Sequence, residues 1–162
     1  VIYMREELGY SNTYVGVHIA LITMAGIIST PIMGNLSDRV GRRPVISFAM
    51  TAMTVLLFLF LQFDSGISMM ILIAVLGLFF FSVMPIINAA AMDMIDKGSE
   101  GSGTALMFAG GSIVGSLTPI VAGIINQSNG FQGVVIFAGA MATIGAVLSL
   151  ILPMAKRESA SP

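Results

Sequence analysis

Residues 67–91 read ISMMILIAVLGLFFFSVMPIINAAA, from Ile67 to Ala91, with no Asp, Glu, Lys, Arg or His anywhere in the run. A bilayer core about 30 Å thick is crossed by roughly 20 apolar residues in a helix rising about 1.5 Å per residue. This stretch is long enough to cross, and it has no polar face to turn toward water. Four further stretches share its character: 15–33, 45–61, 104–125 and 134–152. His18 is the only ionisable residue inside any of them. In hydrocarbon a backbone must satisfy its own hydrogen bonds, so each stretch is predicted to be a transmembrane helix. The expected fold class is an all-α membrane protein with five transmembrane helices.

The whole composition agrees. Hydrophobic residues make up 56% of the 162 and charged residues 9%, against about 25% charged in soluble domains. Cys is absent, which excludes disulfides, thiolate metal sites and cysteine nucleophiles. One histidine cannot form a metal cluster, no basic stripe points to nucleic acid, and no cofactor is expected. No nucleophile–base pair or phosphate-binding loop is evident, so an enzyme is not expected. The domain plan is an external loop at 1–14, a helical region at 15–153 and a cytoplasmic tail at 154–162.

Charge lies between the spans. Arg39, Arg42, Arg43, Lys97, Lys156 and Arg157 fall in loops on one side, and Arg5 alone on the other. The side rich in Lys and Arg is cytoplasmic by the positive-inside rule, which places the C-terminus inside. The fourth span carries Gly110, Gly111, Ser112, Gly115, Ser116, Pro119 and Gly123, small residues that let helix backbones approach closely.

The most specific segment joins the first two spans: Gly34-Asn35-Leu36-Ser37-Asp38-Arg39-Val40-Gly41-Arg42-Arg43-Pro44. Gly34 would permit a turn or close helix contact. Asp38, read as lying just before the next helix, would accept N–H groups at its start. Asp93 falls at the same membrane side, and Arg42, or failing that Arg39, is expected to pair with it. Asp38 is expected to face the start of the fourth span near Thr104.

This segment resembles the cytoplasmic loop motif G-x-L-x-D-R-x-G-R-R/K of the major facilitator superfamily. That resemblance implies a carrier of twelve helices in two six-helix halves. The run Met84-Pro85-Ile86-Ile87-Asn88-Ala89-Ala90-Ala91-Met92-Asp93 is similar to the family's tenth helix, so the chain is expected to supply helices eight to twelve. By resemblance, Gly34, Asp38, Arg39, Gly41, Arg42, Arg43 and Asp93 form a gating latch that holds the cytoplasmic side closed. The alternative for these residues is a set of orientation charges on anionic lipid.

The family places substrate near the midplane. Thr23, Ser82, Asn88, Ser112 and Ser116 are the substrate-cavity candidates, each with helix–helix hydrogen bonding as its alternative. His18 is either a proton-linked gate residue or a group at the helix entrance in contact with water. The function implied is secondary active transport of a small organic solute by alternating access, with H+ or another coupling ion. The partners implied are the lipid bilayer and the remaining N-terminal helices, in a bacterial-type plasma (inner) membrane. The competing reading is a membrane-embedded structural or partner-binding protein that keeps the fold without transporting.

Overall fold

A computed structural model describes residues 9–63 and 66–151. The proposed tail at 154–162, most of the 1–14 segment, and Asp64 of the second linker lie outside the described residues. Every regular element among the described residues is α-helix. Helix α1 spans Asn12–Val40, α2 Arg42–Phe60 and α3 Ile67–Met92. The last helical run, Glu100–Ile151, breaks at Gly130, whose φ of 65° and ψ of −170° are not helical. That break divides it into α4 (100–129) and α5 (131–151). A straight helix of 52 residues would reach about 78 Å at 1.5 Å per residue, more than twice a bilayer core of about 30 Å. The break therefore returns the chain through the bilayer.

The first apolar span and its helix do not coincide. The first span was expected to end at residue 33, before a loop. Instead α1 continues through Gly34 to Val40, and 29 residues at about 1.5 Å each give about 43 Å of helix. The apolar run marks hydrocarbon, whereas the helix continues wherever its backbone bonds continue, here into the polar interface. The loop expected at 34–43 is thus reduced to Gly41, with φ 109° and ψ 153°, a region that essentially only glycine occupies. Pro44 fits in the first turn of α2, where a backbone N–H has no helical acceptor. The linker expected at 126–133 is likewise helical on both sides of Gly130.

The helices pair according to their small residues. Helices α1 and α3 run parallel and cross where glycine removes bulk. A Cβ on Gly26 would lie 2.5 Å from the Phe81 ring, and one on Gly77 would overlap the Ile22 carbonyl. Just past the Gly26 crossing, Ser29 Oγ donates to the Leu78 carbonyl at 2.6 Å and lies 2.8 Å from Ser82 Oγ. Helix α5 packs antiparallel on α2 through Val135, Gly139, Ala142, Ala146 and Ser149, a three–four spacing that keeps one stripe facing its neighbour. Phe58 covers Gly139, and Ser47 Oγ meets Ser149 Oγ at 2.7 Å. Val45, Ile46, Ile86 and Ala90 join α2 to α3 in a buried cluster near one end.

Most apolar surface nevertheless faces outward. Only 22% of the most apolar window of α1 and 33% of that of α3 are buried inside the bundle. In water such faces would associate, whereas in lipid they are solvated. None of residues 100–129 is buried; α4 is touched near its start by Ile95 of the linker, which lies against Gly103, and near its end by Gly133 of α5, which lies against Ile125 and Asn129.

Candidate functional site

The charged residues gather where α1 ends, α2 begins and α3 ends. At Gly41 the chain reverses, and its N–H still donates to the Ser37 carbonyl at 3.1 Å, closing the last turn of α1. This places Arg42 one residue past the turn, over the last turn of α1. Arg42 Nη1 donates to Ser37 Oγ at 2.8 Å and to Asp38 Oδ1 at 2.5 Å. Its Nε donates to Asp93 Oδ2 at 3.1 Å. One guanidinium therefore ties three helix ends together, using separate nitrogens of a rigid fork. The Val45–Ile46–Ile86–Ala90 cluster packs α2 against α3 beside it. The Arg42 side chain is 15% exposed, whereas those of Asp38 and Asp93 are 48% and 36% exposed. The cation is thus mostly withdrawn from water while both carboxylates remain hydrated, a low-cost way to hold an ion pair.

Two sequence expectations about this segment are corrected. Asp38 does not cap α2. It occupies the last turn of α1, and the residue preceding α2 is Gly41, which makes no side-chain cap. The reason is the position of the turn: the helix runs seven residues past the end of the apolar span, from Gly34 to Val40. Gly34 does not mediate a close helix contact, since a Cβ there would meet nothing within 4 Å. Of the two arginines considered for Asp93, Arg42 is the partner, while Arg39 and Arg43 are exposed. Thr104 Oγ1 donates to Met92 Sδ at 3.3 Å.

Ser37 was not singled out from sequence, yet it is 1% exposed. Its hydroxyl donates to the Gly34 carbonyl at 2.8 Å while accepting from Arg42. Its signal was available: a serine one turn before Gly41 on a helix faces back toward the chain that follows.

The five midplane candidates do not form one cluster. Ser82 is fully buried between α1 and α3, bonded to Leu78 and Ser29, the setting of a helix–helix hydrogen bond. Thr23 Oγ1 donates within its own helix to the Ile19 carbonyl at 2.8 Å. Asn88 is half-buried on α3. Ser112 and Ser116 are exposed on α4, Ser116 Oγ donating to the Ser112 carbonyl at 2.7 Å. Beside them, Cβ atoms on Gly110, Gly111, Gly115 and Gly123 would meet nothing within 4 Å. His18 does not sit in water at the helix entrance: it is 1% exposed, and Ser11 caps α1 by accepting from the Tyr14 N–H.

Comparison with known proteins agrees with this architecture. The Major Facilitator Superfamily model matches residues 1–162. The chain is 29% identical over 166 residues to a protein of Streptococcus pneumoniae named multi-drug resistance efflux pump PmrA, covering 95% of this chain and 41% of that protein. It is 33% identical over 118 residues to solute carrier family 49 member A3 of Xenopus tropicalis, covering 70% of this chain and 24% of that one. The chain thus spans less than half the length of these relatives. With a family match along its whole length and an all-helical apolar bundle bearing the arginine-rich turn, the chain belongs to the Major Facilitator Superfamily.

Proposed function

We propose that this chain forms helices eight to twelve of a secondary active carrier that moves a small organic solute by alternating access. The observation that carries the reading is Arg42, whose single side chain joins the ends of α1, α2 and α3 through Ser37, Asp38 and Asp93. A carrier that rocks one half against the other needs its helices to move as a unit. It also needs contacts weak enough to exchange, and half-hydrated ion pairs meet that need. In this reading Gly34, Asp38, Arg39, Gly41, Arg42, Arg43 and Asp93 form the cytoplasmic gate. The arginine-rich end and the C-terminus face the cytoplasm of a bacterial-type inner membrane. Asn88 and Ser112 face the solute path together with helices from the rest of the carrier, and H+ or another ion supplies the coupling.

The efflux-pump name of the pneumococcal relative favours a drug-like amphiphile as solute over a sugar or carboxylate. The test is flux into vesicles bearing the intact protein, with a lipophilic cation, a sugar and a carboxylate offered under an imposed proton gradient. Gradient-driven movement of one of them is expected, and its absence for all three overturns the carrier reading. Asp38→Asn is expected to slow that movement while leaving membrane insertion normal, and wild-type rates in the mutant remove the gate.

A further inference from the structure

The end of the bundle remote from Arg42 holds a second polar group with a different character. His18, in the second turn of α1, is 1% exposed. Its Nδ1 lies 2.8 Å from the carbonyl oxygen of Tyr14. A carbonyl can only accept, so Nδ1 carries the proton and donates it. The neutral ring then has a bare lone pair at Nε2, which can only accept. Nε2 is buried and has no hydrogen-bond partner among the described residues. The ring is held in place by Tyr14, whose centroid is 5.0 Å away, and by Tyr10 at 5.7 Å.

His18 forms part of the wall of a cavity of about 260 Å³ between four helices. Ile22 of α1, Leu57 and Phe60 of α2, Ile73 of α3 and Val135 of α5 supply apolar walls, and His18 is the only side chain with a polar atom among those lining it. An apolar cavity of about 150 Å³ already accepts benzene. Water is poorly suited to this one, since a buried water makes about three hydrogen bonds and this lining offers one side-chain partner.

We propose that this crevice binds an amphiphile with an apolar body and one hydrogen-bond donor, a hydroxyl or an amine N–H, which is delivered to His18 Nε2. The apolar body lies against Ile22, Leu57, Ile73 and Val135. An ether, an ester or a quaternary ammonium offers no donor and is disfavoured, because the acceptor would remain buried and unmatched. The site lies within one group of helices, apart from the Arg42 cluster, and it stands whether or not the protein moves a solute.

The experiment is nitrogen-15 NMR of the intact protein, labelled at histidine, in phosphatidylcholine nanodiscs. The His18 signal is identified by its loss in His18→Phe. The expected Nε2 signal is that of an unprotonated, unbonded nitrogen, and it should move upfield on adding 1-octanol but not octyl methyl ether. Ile73→Trp, which adds bulk to the cavity wall, should abolish the response. Replacing phosphatidylcholine with phosphatidylethanolamine separates the sources of the donor. A shift without octanol assigns it to lipid, and a shift only with octanol assigns it to a free amphiphile; either supports the proposal. It is overturned if the ether acts as strongly as the alcohol, or if no donor moves the signal. It is also overturned if Nε2 is already hydrogen-bonded in phosphatidylcholine alone, or if Ile73→Trp still responds. The alcohol–ether comparison uses only the wild-type protein, so the outcome does not depend on a variant folding.

Discussion

Replacing Arg42 with lysine keeps the positive charge and removes the fork. In the wild type, Nε reaches Asp93 at 3.1 Å while Nη1 reaches Ser37 at 2.8 Å and Asp38 at 2.5 Å. A single ammonium can satisfy Asp38 and Ser37, or Asp93, but not both sets. One ion pair is therefore lost. Both carboxylates are more than one-third exposed, so the pair is worth only about 0.2–1 kcal/mol. When the Ser37–Asp38 side is the one released, the hydrogen bond to Ser37 is lost as well, worth about 0.5–1.5 kcal/mol. The loss is about 0.2–1 kcal/mol if Asp93 is released and about 0.7–2.5 kcal/mol if Ser37 and Asp38 are, the latter a factor of roughly 3–70 in the equilibrium between tied and released helix ends.

Amide hydrogen exchange on the intact protein in nanodiscs measures that equilibrium directly. The informative amides are Gly41 N–H, bonded to Ser37, and Asp93 N–H, bonded to Ala89 at 2.9 Å. Arg42→Lys is expected to lower protection by up to about 5-fold at Asp93 or by about 3–70-fold at Gly41. The α2–α5 interface around Ser47 and Ser149 should not change. Asp93→Asn should release the end of α3 while leaving Gly41 protected, and the double mutant should be no less protected at Asp93 than Arg42→Lys allows. Wild-type exchange in Arg42→Lys would refute the reasoning, as would a loss spread evenly to the Ser47–Ser149 contact.

Gly77→Ala should lower the thermal unfolding midpoint in detergent by the equivalent of about 1–3 kcal/mol, because its Cβ meets the Ile22 backbone. Gly145→Ala should be much milder, since the atom it overlaps is the methyl end of Met50, which can swing aside, and equal losses would contradict the packing described. Gly41→Ala should cost about 1–3 kcal/mol in the same assay through backbone strain at φ 109°, although Pro44 leaves room for the methyl at 3.7 Å. Ser112→Cys, introduced into 162 residues that hold no cysteine of their own, should react with water-soluble thiol reagents in the intact protein once any cysteine elsewhere is replaced. Labelling by lipid-soluble reagents alone would remove Ser112 from the solute path.

The legible parts of the fold are those where solvent dictates sequence. Ile67–Met92 agrees with its apolar run to within one residue, because Gly66 and Asp93 lie where hydrocarbon, helix and polarity change together. The stretch 34–40 misled because polarity was taken for a loop. Hydropathy reports what surrounds a side chain, whereas the helix is set by backbone bonding, which continues into the interface as far as Gly41. That error moved Asp38 from the end of one helix to the start of the next. The Arg42–Asp93 contact could be anticipated because topology brings opposite charges to one end. The hydroxyl pairs Ser29–Ser82 and Ser47–Ser149 could not, since lipid and a neighbouring helix are both apolar and leave no amphipathic contrast to show which face is covered.

The same lack of contrast decides what holds the bundle together. Ile27, Ile28 and Ile32 on α1 are more than half exposed, as are Leu106, Ile113 and Ile124 on α4. In lipid, covering such residues with another helix gains almost nothing from water release, so buried apolar area is the wrong measure of cohesion here. Cohesion must come from contacts that hydrocarbon cannot match. These are the close crossings at Gly26 and Gly77, where backbone meets side chain or backbone. To them are added the paired serines, each worth about 0.6 kcal/mol on average in a membrane, and the Arg42 tie at the polar end. All of these join α1 to α3, α2 to α5, or the ends of α1, α2 and α3. None secures α4, whose exposed glycines would permit close approach by a further helix. Its small residues therefore allow a packing that the other four helices do not use.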